Sequence, residues 1–135
     1  MLRSGSAAPR WGDGGDARGG GVADSGVAGG SGVGSVRDAA VAYYEQDEHR
    51  YMELQSDEHH EISGFIGNIS IRDGVPFLHA HATFCAPSGA AVGGHLVKGC
   101  EVVVAEVTIR EMTGVVLGRT PGEANGLALR SLGSR

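Results

Sequence analysis

Residues 77–84, Phe-Leu-His-Ala-His-Ala-Thr-Phe, alternate so strictly that they fit a β-strand and little else. On a strand, successive side chains point to opposite faces of the sheet. Leu78, Ala80, Ala82 and Phe84 then share one face and read as core, while Phe77, His79, His81 and Thr83 share the other. A chain organised around this segment needs a sheet with one buried face and one face bearing paired imidazoles. After a Pro87-Ser88-Gly89 turn, Ala91-Val92-Gly93-Gly94-His95-Leu96 returns the chain and can set His95 beside the other two. Three of the six histidines thus fall within seventeen positions.

Three converging neutral imidazoles match the ligand set of an open zinc site, with water or another ligand in the fourth position. The residues leave two readings: His79, His81 and His95 hold zinc or another divalent metal, or they are hydrogen-bonded structural residues. Gly93 and Gly94 bear on the first by clearing side chains from beside the site and letting the backbone turn sharply. His49, His59 and His60 lie in acidic, hydrophilic stretches and read as solvent-exposed.

Other strands are legible around this pair. Ile62 to Phe84 reads as a hairpin turning at Arg72-Asp73-Gly74-Val75-Pro76. Ala39–Tyr44 and Tyr51–Gln55 read as a second hairpin, closed by the acidic run Glu45-Gln46-Asp47-Glu48. Glu101–Ile109 is the best strand in the chain, nine residues rich in β-branched side chains with one carboxylate, Glu106, inside it. Val115–Leu117 is a short last strand, and the tail from Arg119, with Pro121 and Gly122, reads as irregular. No internal repeat and no convincing long helix is found.

Twelve of the 24 glycines sit in residues 1–34, so the 135-residue chain has a smaller usable core than its length suggests. Residues 1–28 read as a low-complexity, poorly ordered segment. Gly29-Gly30-Ser31-Gly32-Val33-Gly34 lacks the Gly-Lys-Ser/Thr ending of a phosphate loop. A domain of about 100 residues has a thin stability margin, which oligomerisation or a bound metal would widen.

The formal charge of −5, with one lysine (Lys98) and ten scattered arginines, does not favour DNA as a partner bound by charge alone. No run approaches the ~20 apolar residues of a membrane span, and no apolar leader core is visible, so a cytoplasmic location is expected. Cys85 and Cys100 form no CxxC pair and read as reduced small hydrophobes, although sequence alone does not rule out a bridge. No Gly-x-Ser-x-Gly motif supports a serine hydrolase. Glu106 has two readings: it orients a metal-bound histidine, or its strand lies at an edge with that face in water. Asn68 and Ser63 are further hydrogen-bonding neighbours of the site.

Taken in order, Gly32-Val33-Gly34-Ser35-Val36-Arg37-Asp38-Ala39, Tyr43-Tyr44, Ile62-Ser63-Gly64, Gly67-Asn68-Ile69-Ser70, Asp73 to Ala82, Gly93-Gly94-His95-Leu96 and Ala105-Glu106-Val107 resemble the PPC domain, the "plants and prokaryotes conserved" domain. The resemblance spans about residues 29–117 and places a PPC domain at residues 29–120, with an irregular tail at 121–135. It implies an α+β fold, a mostly antiparallel sheet with one packed helix, assembled as a homotrimer. It also implies a metal, zinc by expectation, at His79, His81 and His95, with Glu106 and Asn68 as weaker neighbours. In plants the domain follows AT-hook motifs in nuclear DNA-associated proteins and mediates protein–protein contacts.

Two departures stand out. No Arg-Gly-Arg-Pro AT-hook occurs, so minor-groove binding has no visible instrument. The family's amphipathic helix has no counterpart in residues 1–28: either it is degraded here, or this stretch is read in a shifted frame. The preferred expectation is a trimeric, metal-binding interaction or DNA-associated regulatory module. The first alternative is a zinc-dependent enzyme of unknown substrate, using the open three-histidine site with Glu106 as general base. The second is a direct DNA-binding protein, whose affinity would fall steeply with salt.

Overall fold

The computed structural model describes residues 28–121 and 127–133. Nine strands run in chain order: β1 (Ala28–Val36), β2 (Ala39–Glu45), β3 (Arg50–Ser56), β4 (His60–Arg72), β5 (Val75–Cys85), β6 (Ala91–Leu96), β7 (Val102–Glu111), β8 (Val116–Pro121) and β9 (Ala128–Gly133). They form one sheet in the order β3-β2-β6-β5-β4-β1-β7, with β8 joined to β4 and β9 to β8. All pairings are antiparallel except a single parallel bridge, Ile71 to Gly118, between β4 and β8.

The two hairpins read from sequence are present. β2 and β3 pair from Ala39↔Ser56 to Glu45↔Arg50, and β4 and β5 pair from Glu61↔Cys85 to Arg72↔Val75. The alternation in β5 sorts its side chains as expected: Ala80, Ala82 and Phe84 are buried, joining Val36, Val41, Ile62, Phe65, Cys100 and Val102 in one apolar cluster. Leu78, near the hairpin end, is 39% exposed. The opposite face holds the histidines.

Two expectations are corrected. The described residues contain no helix, so the α+β class with one packed helix is replaced by an antiparallel β-sheet. From residue 28 onward the apolar residues alternate or run as β-branched blocks, which suits strands rather than an amphipathic helix. The low-complexity reading of residues 1–28, and the missing helix assigned to it, fall almost wholly outside the described residues. Second, residues 128–133, inside the tail read as irregular, form β9 against β8. Gly29–Gly34, as its missing Gly-Lys-Ser/Thr ending implied, is no phosphate loop. It lies inside β1, paired on both sides, with β4 and β7.

β1 looks unlike a strand because glycine is depleted in strands, yet the packing requires it here. A Cβ on Gly32 would stand 2.5 Å from both the Glu106 carbonyl oxygen and Phe65 Cε1. The missing side chain lets the Phe65 ring lie against the strand, within the core.

Among the described residues no helix is long and apolar enough to cross a membrane. Cys85 and Cys100 are both free thiols.

Candidate metal centre

Register brings the three histidines together. His81 pairs with His95 across β5 and β6, and His79 sits two residues before His81 on the same face. The ring centroids are 5.5 Å apart for His79–His81, 4.9 Å for His79–His95 and 5.4 Å for His81–His95. One ligating nitrogen from each lies within 4.8 Å of the others, and His81 is exposed while His79 and His95 are half-buried. A tetrahedral zinc with Zn–N of about 2.0–2.1 Å holds its nitrogens about 3.4 Å apart, so modest ring rotations suffice. The residues therefore fit a metal with three protein ligands and an open position. Among the described residues this is the one group of three or more His, Cys, Asp or Glu side chains so arranged.

Burial, followed by the neighbouring His81 and Arg119, pushes the His95 imidazole below its ordinary value. That favours the neutral ring a metal requires. Tyr51, on β3, supports His95 from the outer side with ring centroids 5.3 Å apart, and Tyr44 packs edge-on against Tyr51 at 5.0 Å.

The glycines next to His95 do not make a turn. Gly93 and Gly94 are extended residues of β6, and their value lies in close approach. A Cβ on Gly94 would sit 2.7 Å from the Ala42 carbonyl oxygen, and one on Gly93 would sit 3.0 Å from that of Ala82. Beside His81, Gly64, Ile66, Thr83 and Gly93 line an open cleft of about 400 Å³.

The supporting residues divide. Asn68 is the cross-strand partner of His79, as its place near the site required. Its Oδ1 accepts a 3.2 Å hydrogen bond from Arg119 Nη2, and Arg119 Nε donates to Ser70 Oγ at 2.7 Å. Glu106 is not brought to the histidines. It is exposed on β7, with β1 and β4 between it and β5. Ser63 lies at the β4 bulge, its hydroxyl 2.8 Å from Cys85 Sγ and away from the metal ligands.

His49 and His59 are exposed as expected, but His60 is buried at 6%. Its Nδ1 lies 2.8 Å from the Glu58 carbonyl oxygen and its ring meets Phe84 edge-on. His60 opens β4 directly over the core, a placement its acidic neighbours conceal.

Arg119 and Tyr51 were not singled out from sequence. Tyr51 is signalled only by the alternation of β3, and Arg119 sits where the pattern gives way to Pro and Gly.

The model of the Plants and Prokaryotes Conserved (PCC) domain, also abbreviated PPC, matches residues 15–113. The chain belongs to this family. A plant- and prokaryote-conserved protein from Pyrococcus horikoshii is 34% identical, with 78% of this chain and 72% of that chain covered and a TM-score of 0.73. A "metal-containing protein" from Archaeoglobus fulgidus is also 34% identical, with 78% and 74% covered and a TM-score of 0.73. A "putative DNA-binding protein" from Bacteroides thetaiotaomicron, 24% identical over 78% and 73% at a TM-score of 0.70, shares the PPC fold. No curated protein gives a match.

Proposed function

We propose that this PPC-domain chain is a cytoplasmic, homotrimeric module that binds one divalent metal, zinc by preference, through His79, His81 and His95, and acts in protein interaction or DNA-associated regulation. The observation that carries the metal reading is the convergence of three imidazole nitrogens within 4.8 Å. An all-nitrogen set of this kind suits zinc and its first-row neighbours better than magnesium or calcium. The Archaeoglobus protein described as metal-containing supports it. The trimer reading draws on the outer strand β7, where Val103, Val104, Val107 and Ile109 are all exposed. Such an apolar edge calls for a covering partner.

The enzyme reading keeps its open coordination position but loses the base assigned to it, since Glu106 stands on β7. Direct DNA binding gains no basic surface from an acidic chain with one lysine.

Elemental analysis of wild type and His81→Ala, alongside mass in solution, tests the proposal. Up to one zinc per subunit that disappears in the variant supports it. An intact trimer with no metal in either protein returns the histidines to a structural role.

A further inference from the structure

We propose that the outer edge of β3 is a docking site for an extended segment of another protein, one in which lysine or arginine alternates with apolar residues, added to the sheet as a further strand. The proposal rests on the interaction part of the reading above and uses neither the histidines nor β7. β3 pairs with β2 over its whole length, from Glu45↔Arg50 to Ala39↔Ser56, without a bulge, and has no second neighbour among the described residues. Its outer row of backbone N–H and C=O groups is therefore open. Proteins commonly blunt such an edge with a proline, a bulge or a lysine. β3 has none of these: it is seven regular residues, Arg50–Ser56, all but Ser56 exposed. Met52 and Leu54 share one face of the strand, opposite Tyr43 and Val41 of β2, while Tyr51 and Glu53 share the other. Leu54 is 51% exposed and Met52 41%, so the edge offers apolar contact as well as hydrogen bonds.

Charge selects the occupant. Between residues 45 and 58, six carboxylates (Glu45, Asp47, Glu48, Glu53, Asp57 and Glu58) stand against one arginine, Arg50. The ten acidic and ten basic residues elsewhere cancel, so the whole formal charge of −5 belongs to this hairpin and its ends. Arg50 is itself ion-paired with Glu48. Glu53, in the middle of the edge, accepts a 3.4 Å hydrogen bond from Gln55 Nε2 and has no ion pair among the described residues. Two such edges repel each other, which disfavours a second copy as the occupant, and nucleic acid is repelled likewise. A strand added to an edge draws affinity from main-chain hydrogen bonds and specificity from alternate side chains. Here the alternation calls for apolar residues beside Met52 and Leu54 and for a cation beside Glu53, since opposite charges across neighbouring strands are stabilising.

The test is fluorescence anisotropy with a labelled peptide, Gly-Val-Lys-Val-Arg-Val-Lys-Val-Gly, and with a version carrying glutamate in place of its three basic residues. Two further versions are N-methylated on alternate residues, the valines in one and the lysines and arginine in the other. A strand turns only every second residue's backbone groups towards a given edge, so the two methylations are not equivalent. Wild type, Glu53→Gln and Glu53→Lys are compared, with circular dichroism and mass in solution measured for each. The expected result is that wild type binds the basic peptide and not the acidic one, that Glu53→Lys binds it about fivefold or more weaker with Glu53→Gln between, and that one methylated version binds while the other does not. Binding that is unchanged in Glu53→Lys, or that survives both methylations, keeps the interaction reading and overturns this edge as its surface. A mass in solution that changes in Glu53→Lys makes a second copy the occupant and overturns the proposal. No peptide bound by wild type overturns both the edge site and the interaction reading.

Discussion

His81 and His95 face each other as a cross-strand pair, on β5 and β6, with ring centroids 5.4 Å apart. Directly opposed residues in an antiparallel pair have Cβ atoms about 4.5–5.5 Å apart, close enough for two imidazoles to share a ligand without moving the backbone. His79 completes the set because the strand period returns its side chain to the same face. Sheet register therefore brings the three imidazoles together, and a metal bound by them should add to stability.

Zinc is expected to raise the thermal midpoint of wild type. At a free metal concentration about 100-fold above Kd, linkage supplies about 2.7 kcal/mol, or roughly 10–20 °C for a domain of this size. In His81→Ala the zinc-dependent rise should vanish. Its metal-free midpoint should stay close to that of wild type, because His81 is exposed and substitutions at exposed sites usually cost no more than about 0.5 kcal/mol. Scanning fluorimetry with and without zinc, after chelator treatment, checks both halves. A zinc response that persists in His81→Ala would place the metal elsewhere.

Gly94→Ala should destabilise the fold by about 1–3 kcal/mol and weaken zinc binding with it. The new methyl would meet the Ala42 carbonyl oxygen at 2.7 Å, so β6 must move away from β2 and take His95 along. Gly64→Ala is the control: nothing lies within 4 Å of its Cβ, and the cost should be below about 1 kcal/mol. Urea denaturation of the two variants settles the comparison. Equal costs would mean that close approach is not what Gly94 supplies.

The histidine strand could be read from sequence because one face is buried and the other is not, which imprints a period of two on residues 77–84. The β2–β3 and β4–β5 hairpins were legible for the same reason, helped by turn residues such as Asp73-Gly74. β1 was not, since its pattern is set by what glycine omits: Gly32 makes room for Phe65, which lies thirty-three positions away in sequence. The two readings of Glu106 stayed open in the sequence, and the edge strand is the one found, because a strand's pattern reports which face a residue takes but not how many strands separate it from another. β7 shares the site's face at Glu106, but β1 and β4 intervene. Arg119 escaped notice because its partners, Asn68 and Ser70, lie about fifty residues earlier.

Val104→Lys should convert the proposed trimer to monomers. Val104 is 55% exposed on β7, which among the described residues pairs only with β1. A lysine on an apolar edge opposes association while leaving the existing register intact. Light scattering should show the mass of one subunit in place of three, with the β-sheet circular dichroism retained. An unchanged trimer would move the interface off this edge.

Cys100 should make stability fall at alkaline pH. Its thiol is 1% exposed, accepts a hydrogen bond from Ala40 N at 3.2 Å and donates to the Ala40 carbonyl at 3.4 Å. Burial outweighs the bond from Ala40 N and raises its pKa above the ordinary 9.0. The folded protein therefore keeps a proton that the unfolded chain releases, so the contribution is present in full below about pH 8 and is lost as pH climbs past 9 towards the raised folded value. Cys100→Ala should cost about 1–2 kcal/mol at pH 7.5 from lost packing and the broken hydrogen bonds. That deficit should shrink between pH 8 and pH 10, because only wild type pays for retaining the thiol proton. Urea midpoints of both proteins across this range decide the matter. Parallel curves would show that the Cys100 thiol ionises alike in the folded and unfolded chains.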